Sequence, residues 1–588
     1  MPRNIEDRGE GPRQSRPPAR GKLGWVVLWS GGDGPSAKFG RRSAAQLHAL
    51  VAVEREIKAN DHNSRRKYLQ DFSQAFRCYE SVLDSTEVQQ SIFEADIVLV
   101  GDYHALPAAQ SFAASLLEQR AVAGGRPLVL GVETVFARDQ HILEEWFRGE
   151  IDEGELRERI RFELDWGYEW EPFYELLEKA RQHCAAIYGL DCMPREDLRK
   201  IAARDRHATD KIAEIRQRHP DAAVMVLFGE SHLAPSHLPQ LLQERLPRER
   251  VLTILQNVDA LYWRAAGEPR DRVEAVRVAD NVICVFNSTP LEKYESYRLC
   301  LDRWGREGSG APDLGPTIYN LIDGLLRFLD INRYSSHNGT QPKFLVDLLP
   351  EVYCRNSDGL LRRLLSRKGV TEEEKKFMLR RVEECGSAYL PRVNAFYVRE
   401  FHMMYAAEEA ARFLHHACRG LPLRVNGHTT EPLAAEDSFY ARALENALGY
   451  LGSRVMYPAR PALRETDLYE LYEQTHEDLE QQSAFGFEEF VKLVDFMVLH
   501  RQFELNPQRF SEVPKPIEEG VVVAGEKLEY VTRQLGYLLG SELYNGYLEG
   551  RVTRGCLRRL FLTHLGQPGA ARETYFSLVR KLRAGKKK

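Results

Sequence analysis

The stretch that most constrains this chain is Ile97-Val-Leu-Val-Gly-Asp-Tyr-His104. Four apolar, mostly β-branched residues run into a glycine, an acid, one free position and a histidine. That is the pattern of a buried strand that stops on a turn and presents polar groups at its C-terminal end. The arrangement returns at Val224-Met-Val-Leu-Phe-Gly-Glu-Ser-His232. Between the two, Pro127-Leu-Val-Leu-Gly-Val-Glu133 and Ala185-Ala-Ile-Tyr-Gly-Leu-Asp191 end in glycine, one apolar residue and a carboxylate. The chain has 42 glycines and 17 histidines in 588 residues. Chance alone supplies about one Gly-x-x-His match, and about 0.2 once an acid must follow the glycine, yet two are present. Ligands of open α/β sheets sit at the carboxyl ends of the strands. The four strand ends are therefore expected to meet at one polar site.

Helical segments separate these strands, at about 108–123, 175–184 and 198–218, and further strands are expected at 251–255 and 281–286. Strand alternating with helix predicts an α/β unit with a mostly parallel sheet and helices on both faces. Ahead of it, residues 1–42 are rich in Arg, Pro, Gly and Ser and read as a disordered tail, and residues 43–90 read as a helical lead-in. The α/β unit is placed at 91–307, and Gly308-Ser-Gly-Ala-Pro-Asp-Leu-Gly-Pro316 reads as a linker. Residues 317–588 read as an all-α domain, with helices expected at Glu372–Glu384, Val393–Cys418 and Phe487–Phe503 among others.

The motifs Gly101-Asp-Tyr-His104, Gly131-Val-Glu133 followed by Phe136-Ala-Arg-Asp-Gln140, and Gly229-Glu-Ser-His232 resemble the ChaN-like haem-binding family of the Tiki/TraB/erythromycin-esterase superfamily. The resemblance covers about residues 90–300 and says nothing of the remainder. It implies two kinds of activity: haem binding or handling, and, from the esterase branch, hydrolysis by a histidine and a carboxylate that activate water.

Imidazole and carboxylate groups together suit a divalent ion such as Zn, Mn or Fe. His104, Glu133 and His232 are the expected central trio, as metal ligands or as catalytic groups. Asp102 and Glu230 are expected to act as a base or to orient an imidazole. The leading expectation is metal-assisted hydrolysis of an ester or amide in a small-molecule substrate. A metal-free variant is its close relative. The alternative is a haem binder with Tyr103 as axial ligand, and a third reading is a protein-interaction scaffold. The aromatic cluster Trp166, Tyr168, Trp170, Phe173 and Tyr174 reads as core or as a wall over the site. In the C-terminal half, His402, Glu409 and His416 share a helix face, the spacing of half a metal site, but no partner helix carries a matching Glu-x-x-His.

Composition sets outer bounds. Lys and Arg number 81 against 86 Asp and Glu, a formal net charge of −5, which gives no basis for nucleic-acid binding. Nine cysteines, none in a Cys-x-x-Cys pair, suit a reducing compartment. No apolar run reaches the ~20 residues needed to span a bilayer. No signal-peptide core is apparent, and no cysteine precedes Cys78, so the expectation is a cytoplasmic protein. The helical part is where a protein partner or a second copy would dock.

Overall fold

The computed structural model describes residues 37–60, 67–192, 201–268, 273–305, 313–332, 349–354, 358–367, 372–418, 435–477, 486–512, 514, 526–565 and 567–584. Its centre is an eight-stranded sheet. In chain order the strands are β1 (Ser81–Leu83), β2 (Ile97–Asp102), β3 (Leu128–Phe136), β4 (Ala186–Asp191), β5 (Ala223–Gly229), β6 (Val251–Gln256), β7 (Ala275–Ala279) and β8 (Val282–Val285). Across the sheet they lie in the order β1-β7-β8-β6-β2-β5-β3-β4. The pairs β8/β6, β6/β2, β2/β5, β5/β3 and β3/β4 are parallel, and only β7 runs against its neighbours. The expected mostly parallel sheet is what forms.

Alternation along the strands explains why both faces need cover. Val98 and Val100 of β2, with Met225 and Leu227 of β5, enter one core. Ile97 and Leu99, with Val224, Val226 and Phe228, enter the other. The helices Pro107–Val122 and Glu171–His183 bury Ala113, Leu117, Leu176 and Leu177 on the first face. The helices Ile201–Arg218 and Leu238–Arg245 bury Ala208, Ile212, Leu238 and Leu242 on the second. The aromatic cluster at 166–174 belongs to the first core, where Trp166, Trp170 and Phe173 are buried.

β3 and β4 lose their even register after Val132, where Gly189 pairs with Val132 but Asp191 pairs with Phe136. Such a bulge re-aims the side chains on the longer strand, here Glu133. Gly189 permits it, because a Cβ there would lie 2.6 Å from Val135 O and 2.9 Å from Phe136 O. Backbone atoms cannot yield as a side chain can. Gly189→Ala should therefore flatten or unfold this corner, a loss on the order of 2 kcal/mol or more by thermal melting, within the range for overpacking a tight site.

The region after the sheet is largely helical, as expected. It is built from Gly315–Leu329, Met403–Cys418, Ala435–Met456, Phe487–Leu505, Glu526–Leu548, Arg554–Leu562 and Ala570–Ala584 around one large core. Several features depart from the sequence reading, among them β1 (Ser81–Leu83), a strand at the end of the expected helical lead-in 43–90. The N-terminal helix spans Ala37–Asn60, so residues 37–42 of the expected tail are helical. That helix buries Ala45, Ala49, Val53 and Ile57 in the C-terminal core. Gly315 and Pro316 of the expected linker open the helix Gly315–Leu329, where proline tolerates the first turn. Residues 1–36 of the tail and 308–312 of the linker lie outside the described residues.

Three short strands also appear, β9 (Glu351–Cys354), β10 (Ser387–Leu390) and β11 (Ala395–Val398), in the order β10-β11-β9. The helix expected over Val393–Cys418 thus begins at Met403. Asn394, with φ 48°, follows the turn after Pro391 and starts a four-residue strand of alanine, two aromatics and valine. No described helix is long and apolar enough to cross a membrane.

Candidate functional site

Because β2 pairs with β5, and β5 with β3, three of the four strand ends lie side by side. Asp102 is in register with Gly229, and Val132 with Leu227. His104 and His232 come to the same carboxylate. His104 Nε2 lies 3.7 Å from Glu133 Oε2, and His232 Nε2 lies 3.8 Å from Glu133 Oε1. These gaps exceed hydrogen-bond length.

The other nitrogen of each ring is tied to an aspartate. His104 Nδ1 lies 2.6 Å from Asp102 Oδ2, and His232 Nδ1 lies 2.5 Å from Asp205 Oδ1. A carboxylate on Nδ1 holds the proton there and leaves Nε2 as an acceptor. Asp102 is fixed in turn by the Gln110 amide. Asp205 serves a second imidazole, His237, at 3.0 Å.

Glu133 is anchored rather than idle. Its Oε1 accepts from Arg204 at 2.5 Å, and its Oε2 accepts from the Gly229 amide. Arg204 also makes a two-pronged contact with Asp191, at 2.9 and 2.8 Å. Burial pushes the Glu133 pKa up, but the Arg204 guanidinium, with His104, His232 and the Gly229 amide, brings it down to about 2. Asp191 goes the other way: burial and the charge on Glu133 raise it despite Arg204. Gly229 keeps the middle of the trio clear. A Cβ there would stand 3.0 Å from Glu133 Oε2, 3.4 Å from His104 Nε2 and 3.5 Å from His232 Cδ2.

One expectation needs correction. Glu230 does not orient an imidazole. Its carboxylate accepts from Lys293 Nζ at 2.9 and 3.1 Å. The cause is local: residues Glu230–Leu233 form a 3₁₀ turn, and three residues per turn send positions i and i+2 to different sides. Asp102 instead ends a strand and His104 lies in the turn that follows, and there the acid does reach its histidine. Burial raises the Glu230 pKa in spite of Lys293, while Glu230 and Asp259 raise that of Lys293 against its own burial.

Tyr103, the expected axial ligand, packs under Lys293. Its ring lies 4.5 Å below Lys293 Nζ, and burial with the Glu230 charge drives its phenol well above the ordinary value, away from the phenolate.

The metal-ligand set fits poorly. Glu133 Oε1 already accepts from the Arg204 guanidinium and Oε2 from the Gly229 amide, so its charge is balanced by a fixed cation. Among the described residues, no group of three or more His, Cys, Asp or Glu is arranged to hold a metal ion. The helix-face candidate in the C-terminal half is likewise dispersed. Glu409 serves Arg381 and the Tyr389 amide, His416 faces Glu445, and His402 faces Glu400.

Arg204, Asp205, Gln110, His237 and Lys293 were not singled out in the sequence. A signal for two of them existed. Arg204 and Asp205 lie on the stripe that continues through Ala208, Thr209 and Ile212 of their helix, so two charges occupy its buried face.

Glu408 and Glu504 of the helical region share the behaviour of Glu133. Burial raises each pKa, but Arg460 and Arg381 around Glu408, and His500 and Arg501 beside Glu504, bring them to about 2. A carboxylate depressed in the fold adds stability that is complete above its unfolded pKa and is lost as pH falls toward the folded one. The melting temperature should therefore hold down to about pH 4.5 and fall steeply between there and about pH 2. A melt series over that range checks it, and a flat profile would refute the pairing.

Residues 88–225 match the family model described as haem-binding uptake, Tiki superfamily, ChaN, which is under a quarter of the chain. Two solved structures are similar. ChaN of Campylobacter jejuni, described for its cofacial haem binding, is 13% identical, with 34% of this chain and 91% of that one covered at a TM-score of 0.24. The type III effector HopBA1 is 14% identical, with 36% of this chain and 96% of that one covered at a TM-score of 0.25. No curated protein sequence matches the chain.

Proposed function

Residues 88–225 being a ChaN-type region of the Tiki superfamily, we propose that its strand ends form a metal-independent hydrolytic site for an ester or amide of a small molecule. One observation carries this reading: two imidazoles, each held by an aspartate, turn acceptor nitrogens toward one ionised carboxylate across a space that Gly229 keeps open.

A water in that space would donate one proton to His104 Nε2 and the other to Glu133. His104 is the base of choice, since its side chain is 13% exposed against 4% for His232. Its proton passes to Nε2 while the water oxygen bonds to the carbonyl carbon. Asp102 balances the imidazolium charge. The carbonyl–heteroatom bond then breaks, and the proton moves from His104 to the leaving oxygen or nitrogen. Arg204 keeps Glu133 ionised throughout.

The test is cleavage of p-nitrophenyl acetate and butyrate by the full-length protein, before and after exhaustive chelation. Chelation should leave the rate unchanged, and Gly229→Ala, which fills the space with a methyl group, should lower it at least about tenfold. Absence of cleavage, or cleavage lost on chelation and restored by zinc, would overturn the proposal.

The description of the matched family favours a second reading, haem binding without catalysis. Haemin titration tests it by a shifted Soret band. Because Tyr103 lies under Lys293, Tyr103→Phe should leave any such spectrum unchanged.

A further inference from the structure

Five aromatic rings follow one another in a row from the hydrolytic site. His104 and Tyr168 have ring centroids 5.4 Å apart, Tyr168 and Trp304 5.3 Å, Trp304 and Tyr297 6.3 Å, and Tyr297 and Tyr103 6.3 Å. His104 also packs against Trp166, with ring centroids 5.1 Å apart. The rings come from three separate places: the turn after β2, the segment before the helix Glu171–His183, and the helix Pro290–Gly305. Tyr168 is buried, Tyr103, His104 and Tyr297 are half-buried, and Trp304 is 43% exposed. The exposed indole is not a loose surface group, because its Nε1 donates to Gly167 O at 2.9 Å. An exposed tryptophan held by a hydrogen bond, one ring removed from a half-buried histidine, is a rigid apolar face within a substituent's reach of a reactive nitrogen.

We propose that this aromatic rim is the specificity subsite of the hydrolytic site, and that it takes an aromatic or bulky planar apolar group next to the scissile carbonyl. The proposal rests on the hydrolytic reading for its orientation: with the carbonyl at His104, the substituent lies along Tyr168 and reaches Trp304. The rim presents apolar faces, and the cations beside it are already paired, Lys293 with Glu230 and Arg303 with Glu169, so a neutral ring suits it better than a charged chain.

Inert ketones separate binding from cleavage. Acetone, acetophenone and 2-acetonaphthone present the same carbonyl with no, one or two fused rings, and their binding to the full-length protein can be read by saturation-transfer NMR. Affinity should rise at least tenfold from acetone to 2-acetonaphthone. Trp304→Ser, at an exposed position, should weaken 2-acetonaphthone about five- to tenfold, and Trp304→Phe should restore most of it. The ketone should also compete with p-nitrophenyl ester cleavage. Equal affinity for all three ketones, or no change in Trp304→Ser, would overturn the subsite. If the ketones discriminate but no ester is cleaved, the rim stands and the hydrolytic reading fails.

Discussion

Arg204→Met should destabilise the fold by on the order of 3–5 kcal/mol, the cost of leaving buried charges without their partner. Arg204 is 6% exposed, and it bridges Glu133 and Asp191, which are 2% and 1% exposed. Methionine fills the volume but abandons two carboxylates in a dry site. In the wild type, Glu133 is ionised down to about pH 2. Without the guanidinium both acids would take up protons more readily in the fold, so the variant's deficit against the wild type should shrink as pH falls. The gap between the two should be widest near neutral pH and narrow toward pH 4, by chemical denaturation. Adding Glu133→Gln and Asp191→Asn to Arg204→Met should recover a large part of the loss, since the buried charges are then gone. A loss below 1 kcal/mol for the single variant would show that the network does not hold the strand ends.

His104→Gln should lower ester cleavage by about 10²–10⁴-fold, the usual yield of a positioned general base. Asp102→Asn should lower it by a similar factor while leaving His104 in place, because an amide no longer fixes the tautomer with the acceptor at Nε2. His232 differs in its environment: it is buried, and its aspartate is shared with His237. Its replacement should affect both rate and stability, whereas His104→Gln, at the more exposed position, should lower the melting temperature less. Steady-state rates and thermal melts on the same preparations separate the two. An Asp102→Asn variant with full activity would remove His104 from the role of base.

Much of the fold was legible because the parallel strands are apolar runs closed by glycine, and such runs have few other uses in a chain of this composition. Strands β2 to β6 and the helices between them follow from that pattern. The placing of His104, Glu133 and His232 at adjoining strand ends also follows from it, since the loops after parallel strands share one edge of the sheet. What could not be read was the rotation of side chains within a turn. Asp102 and Glu230 occupy the same place in their motifs, yet the turn after β2 brings one to its histidine and a 3₁₀ turn carries the other to Lys293. Arg204 and Asp205 sit on a helix whose charges read as surface unless their place on the apolar stripe is weighed. The short strands β1, β7 and β9 to β11 are too brief for alternation to outweigh a neighbouring helical pattern. The helix Ala37–Asn60 packs into the C-terminal core through four small or branched residues, a contact between distant parts of the chain that local periodicity does not encode.

The central claim is that His104 and His232 serve one reaction across Glu133, and a double-mutant cycle on p-nitrophenyl ester cleavage tests it most directly. For groups that act as a unit, His104→Gln and His232→Gln together should cost little more than the worse of the two alone. Losses that simply multiply would mean that the two imidazoles work apart, and would contradict the account.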